Sequence, residues 1–99
     1  MNAADMFQFV VNRLESFLNS NDQILVNKER IEIVWMVRDT DNSVKGYAKI
    51  GTRYLSFSMF VNEDGEIEMW LEGIAKIIFS KETVDVFIDE IKHEEAEEQ

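Results

Sequence analysis

The chain has no cysteine, no proline, four glycines and one histidine, and each shortage removes a class of explanation. Without cysteine there is no disulfide, no thiolate metal site and no thiol nucleophile, so a reducing compartment is permitted. Without proline, no residue of that type guards a sheet edge, which leaves edge pairing to a second copy open. Gly46, Gly51, Gly65 and Gly73 are too scattered to form a phosphate-cradling loop. No apolar run approaches the roughly 20 residues that span a bilayer. The N-terminal stretch is punctuated by Asp5, Arg13 and Glu15 where a signal peptide would be unbroken. A soluble, cytoplasmic protein is expected.

What is present is a folding sequence with an uneven charge. Hydrophobic residues make up 45% of the chain and aromatics 11%, too many for a disordered chain even at a formal charge of -10. Ninety-nine residues suit a single core. Through Asn62, seven acids (Asp5, Glu15, Asp22, Glu29, Glu32, Asp39, Asp41) balance seven bases (Arg13, Lys28, Arg30, Arg38, Lys45, Lys49, Arg53). From Glu63 onward, thirteen acids face only Lys76, Lys81 and Lys92, and 3 minus 13 gives the whole -10. Direct nucleic-acid binding is disfavoured, because phosphate recognition needs clustered Lys and Arg. A basic protein partner is favoured instead.

Hydrophobic periodicity sets the fold class. Met6, Phe9, Val10, Leu14, Phe17 and Leu18 recur at helical spacing, which predicts a helix over Ala3 to Asn19; Phe7 and Val11 widen its apolar stripe. After a loop, "QILV" reads as a short edge strand and "RIEIVWMVR" as a strand with Ile31, Ile33, Trp35 and Val37 on one face. "SVKGYAKI" and "RYLSFSMFV" alternate with period two. "NEDGE" signals a hairpin. "EIEMWLE" then sets Ile67, Met69 and Leu71 against Glu66, Glu68, Trp70 and Glu72. A turn at Gly73 leads to "IAKIIF". Ser80 can cap a terminal helix with Val84, Phe87, Ile88 and Ile91 as its apolar positions. Short turns between consecutive strands require antiparallel pairing. The expected architecture is α+β: an antiparallel meander sheet of four or five strands, flanked by an N-terminal and a C-terminal helix packed on one face. A single domain is expected over 1–93, with 94–99 an acidic, disordered tail.

Few residues suggest chemistry. Asp39, Asp41 and Ser43 have the spacing of the first ligands of a calcium loop. Such a loop needs glycine at position six and glutamate at twelve, where this chain has Val44 and Ile50, so a hairpin turn is expected. His93 stands amid glutamates without the further ligands of a metal site. Neither Ser56 nor Ser58 has a context that points to activation by His93. Paired carboxylates such as Glu66 and Glu68 would need a cleft to separate their proton affinities. No enzyme activity, cofactor or metal is expected.

Trp70 is the residue that stands out, because it shares its outward face with Glu66, Glu68 and Glu72 while the core is already supplied. It is either a cover over the second sheet face or an interface anchor in a polar rim. Glu82, Asp85 and Asp89 form a second acidic row along the terminal helix, either a solvated face or a phosphate-like charge array. Glu66, Glu68, Trp70, Glu72, Glu82, Asp85 and Asp89 are therefore the candidate partner-binding residues. The leading expectation is a non-enzymatic protein-binding regulator or inhibitor that occupies a basic surface, as a nucleic-acid mimic or an immunity-type inhibitor. The alternatives are a small acidic dimeric chaperone or assembly adaptor, and a small-ligand pocket or catalytic role using Trp35, Tyr47 or Tyr54.

Overall fold

The computed structural model describes residues 2–72 and 75–97, the last three of them as backbone. Helix α1 (Ala3–Ser20) is followed by strands β1 (Leu25–Val26), β2 (Glu29–Thr40), β3 (Ser43–Ile50), β4 (Arg53–Val61), β5 (Ile67–Leu71) and β6 (Ala75–Phe79), and then by helix α2 (Lys81–Glu97). The strands pair in chain order as one antiparallel meander. The α+β class and the two terminal helices are as expected, but the sheet has six strands instead of four or five. The difference comes from "QILV", where Leu25–Val26 pairs with Glu29–Arg30 across a two-residue turn. Asn27 and Lys28 both have positive φ there, as that tight hairpin requires. The expected turn at Gly73 lies outside the described residues, as does the end of the expected tail; the α2 backbone runs on through Glu97.

Local chemistry fixes the element ends. The Asn2 side chain accepts from the Asp5 N–H at 2.9 Å and caps α1. Ser80 Oγ accepts from the Thr83 N–H at 3.2 Å and begins α2. At the β4–β5 turn Asn62 organises the loop: its Oδ1 accepts from the N–H groups of Asp64 and Glu66, and Gly65 takes φ +78°. The stretch from Asp39 to Ser43 is a hairpin turn, with Asp41 and Asn42 at its tip and Thr40 Oγ1 bonded to Asn42 and Ser43.

Both helices cover one face of the sheet. Leu14, Leu18, Ile31, Ile50, Met59, Ile67, Met69 and Ile91 are fully buried between the layers. The core stripe of α1 is rotated from the expected one: Phe7 and Val11 are buried, whereas Phe9 is exposed and Phe17 meets Phe87 edge-on at the surface, 6.3 Å apart.

One irregularity decides what the other face carries. The register of β2 against β3 shifts between Ile33 and Trp35, a β-bulge at Val34. Up to Ile33 the odd residues face the helices; beyond it Met36 and Arg38 do. Arg38 reaches α1, donating to the Ala4 carbonyl at 2.8 Å. Trp35 and Val37, expected to share a face with Ile31 and Ile33, are thereby turned to the opposite, outward one. Gly46 makes room for this, since a Cβ there would lie 1.9 Å from the Trp35 carbonyl oxygen.

Candidate functional site

The open face of the sheet is lined across four strands. Trp35 on β2 stands opposite Tyr47 on β3, the two ring centroids 6.1 Å apart. Tyr47 pairs with Ser56 on β4. One row further along, Lys45, Ser58, Trp70 and Lys76 are cross-strand neighbours on β3 to β6. Tyr47 and Trp70 stand two strands apart, roughly 10 Å between backbones, and the small side chains of Ser56 and Ser58 lie between them. The result is a groove of about 670 Å³ with aromatic walls and a serine floor. Trp35, Tyr47 and Trp70 are 50%, 53% and 49% exposed, so close to half of each large ring faces solvent.

The groove's polar groups are largely committed to one another. The Trp70 indole N–H donates to Glu68 Oε1 at 3.1 Å, and the Asn62 amide donates to Glu68 Oε2 at 2.9 Å. Lys76 completes the set, 3.7 Å from Glu68 and 5.0 Å from the Trp70 ring centroid. The Glu68 carboxyl is held below the ordinary glutamate range, chiefly by the Asn62 hydrogen bond, with the indole and Lys76 assisting and partial burial opposing. Glu68 therefore orients Trp70, with its side chain only 15% exposed. Lys45 lies 3.6 Å from Asp39. Glu72 accepts from Ser56 Oγ and makes no ion pair among the described residues, leaving its charge uncompensated at the groove.

The candidate residues fall into two groups that the sheet separates. Glu66, Glu68, Trp70 and Glu72 lie on or beside β5, with Trp70 and Glu72 lining the groove. Glu82, Asp85 and Asp89 belong to α2, on the helix-covered side. Asp85 is bonded to Lys81 at 2.8 Å, a contact that raises the lysine's affinity for its proton. Trp35 enters as a candidate only through the small-ligand pocket alternative, and Ser56 and Ser58 only as serines without an activating context, so none of them is among the expected partner-binding residues; Gly46 in a strand interior is the available sign of the bulge that exposes Trp35. Among the described residues no three His, Cys, Asp or Glu side chains cluster to hold a metal ion. No helix among them is long and apolar enough to cross a membrane.

Fold and surface together define a helix-backed antiparallel meander with one aromatic face left open. Comparison with protein-family models, with curated proteins and with solved structures finds no match to this chain.

Proposed function

We propose that the protein is a non-enzymatic binding protein whose open sheet face, centred on Trp35, Tyr47 and Trp70, takes hold of a basic partner protein and regulates or inhibits it. The observation that carries this reading is the half-exposed aromatic groove on a chain with charge -10. Three large rings held in place by neighbours have the character of interface anchors, since rigid aromatics lose little entropy on binding and gain much from desolvation. The acidity that begins at Glu63 steers a basic partner toward them. Trp70 and Glu72 act at the contact, whereas Glu68 acts through Trp70 as a positioning residue. With Glu82, Asp85 and Asp89 on the other side of the sheet, a nucleic-acid mimic would present α2 and not the groove.

Affinity purification from a lysate with the wild type, Trp35→Ala and Trp70→Ala in parallel tests the reading. A basic protein retained by the wild type, released by moderate salt and lost from both variants is the expected outcome. Recovery of only neutral or acidic partners, or equal recovery by the variants, would refute it. The second reading, a dimeric chaperone or adaptor, is favoured by a separate observation: Phe9 on α1 and Leu25 on β1 are 44% and 51% exposed outside the groove. Light scattering separates the two, because the second requires a dimer at micromolar concentration.

A further inference from the structure

The two long edges of the sheet are treated differently. On β2, the outward N–H and C=O of Ile33 are both taken by the Asn19 side-chain amide of α1, at 2.7 and 3.0 Å. Beyond Ile33 the strand is broken by register shifts before Trp35 and after Arg38. Bulges and side-chain plugs of this kind keep an edge from pairing with another chain. On β6 nothing comparable occurs among the described residues: five residues run in unbroken register with β5.

The direction of the β6 backbone groups follows from the neighbouring ladder. The Asn62 N–H donates to the Glu66 carbonyl at 2.8 Å, and the Glu72 N–H to the Ser56 carbonyl at 3.1 Å. Antiparallel strands alternate, so the even residues of β5 bond to β4 and Ile67, Met69 and Leu71 bond to Phe79, Ile77 and Ala75 of β6. Lys76 and Ile78 are then left with their N–H and C=O groups pointing away from the sheet. No hydrogen bond to them occurs among the described residues. Nor does the one cation guard the edge, since Lys76 is drawn inward over Trp70 and toward Glu68. Ile78 is 48% exposed beside it.

We propose that the outer edge of β6 is a strand-addition site for an extended, lysine- or arginine-rich segment of a partner protein. Charge selects this occupant. The edge belongs to the part of the chain that carries the whole -10, so two copies joined at β6 would bring two acidic halves together. A basic strand meets the opposite field, pairs with the Lys76 and Ile78 backbone, covers Ile78 and continues the open face beyond Trp70. The inference rests on the reading of an acidic protein-binding module, and it adds the mode of attachment.

The test uses a twelve-residue peptide of alternating lysine and valine, with a glutamate and valine peptide as control, and reads amide hydrogen exchange by NMR on the intact chain. The lysine peptide is expected to slow exchange at Lys76 and Ile78 about tenfold or more, leaving Met36 and Arg38 on the β2 edge unchanged. Ile78→Pro removes an outward N–H without touching the ladder to β5, and should weaken the peptide by about tenfold, the upper end for one hydrogen bond. Ile78→Val should keep it. No binding, binding without protection at Lys76 and Ile78, or concentration-dependent protection without peptide would each overturn the proposal. A natural partner that survives Ile78→Pro but is lost with Trp70→Ala would sink the edge while leaving the aromatic face standing; the reverse would sink the face alone.

Discussion

The two faces of the sheet use large apolar side chains to opposite ends. The helix-covered face is built from Ile31, Ile33, Val44, Ala48, Ile50, Met59, Ile67 and Met69, all buried beneath α1 and α2. The open face carries Trp35, Tyr47, Tyr54 and Trp70, each about half exposed or more. Aliphatic side chains interdigitate under helices, while flat rings on an open sheet leave a groove whose floor is serine. The contrast shows that hydrophobicity alone does not assign a face: Trp35 and Ile33 are both large hydrophobic residues of the same strand and the same parity, yet a single inserted residue sends Trp35 the other way.

Gly46→Val strikes the point where the faces are sorted. Its side chain would meet the Trp35 carbonyl at 1.9 Å and the Phe57 ring at 2.9 Å, and a backbone carbonyl cannot rotate aside as a side chain can. The bulge must be expelled or the strands must part. We expect a loss on the order of 4 kcal/mol, measured by urea denaturation, with altered tryptophan fluorescence as Trp35 leaves the open face. A variant within about 1 kcal/mol of wild type would show that the bulge does not depend on glycine.

Leu14→Ala damages the covered face without moving the division. Leu14 is wholly buried in α1 against the sheet, and truncation leaves a cavity that the two layers cannot close. A loss of about 3 kcal/mol is expected. Partner binding by the folded fraction should be unchanged, which separates core from surface effects.

Trp35→Ser empties one wall of the groove. The ring is half exposed and, among the described residues, its ring contact is with Tyr47, so stability should fall by about 1 kcal/mol or less. Binding of the basic partner should drop by far more than that. If stability fell as far as in Leu14→Ala, the open face would be part of the core and the groove would lose its standing as a contact surface.

The strand periodicities and cap signals made most of the framework legible. Ser80 and the "NEDGE" turn act where their chemistry placed them, and Ile67, Met69 and Leu71 are buried as their alternation required. Two features escaped. The rotation of α1 exchanged Phe7 for Phe9 because a stripe wider than one face does not say which side is covered. The bulge at Val34 was hidden because β2 is apolar on both faces, so either parity looked acceptable; Gly46 on the facing strand was the sole hint. Trp70 and Glu72 were legible as outward residues from composition and parity. That Glu68 belongs to Trp70 and Asn62 instead of to solvent depends on the folded turn, where residues 62 and 68 meet.

The smallest effect concerns that cluster and is a matter of pH. The Glu68 carboxyl is held below the ordinary glutamate range by the Asn62 amide first, then by the Trp70 indole and Lys76. A carboxyl whose folded value lies below its unfolded value binds fewer protons in the folded state. Its contribution to stability is complete above the unfolded value and is lost as pH falls through the folded one. Glu68→Gln abolishes the titration while keeping an acceptor for the indole N–H. Denaturation midpoints of wild type and variant should therefore differ at about pH 6 and converge toward about pH 3, with the other carboxylates common to both. A constant difference across that range would mean that Glu68 titrates alike in both states. Trp70 would then be held by packing alone, without the carboxylate that anchors its indole at the rim of the open face.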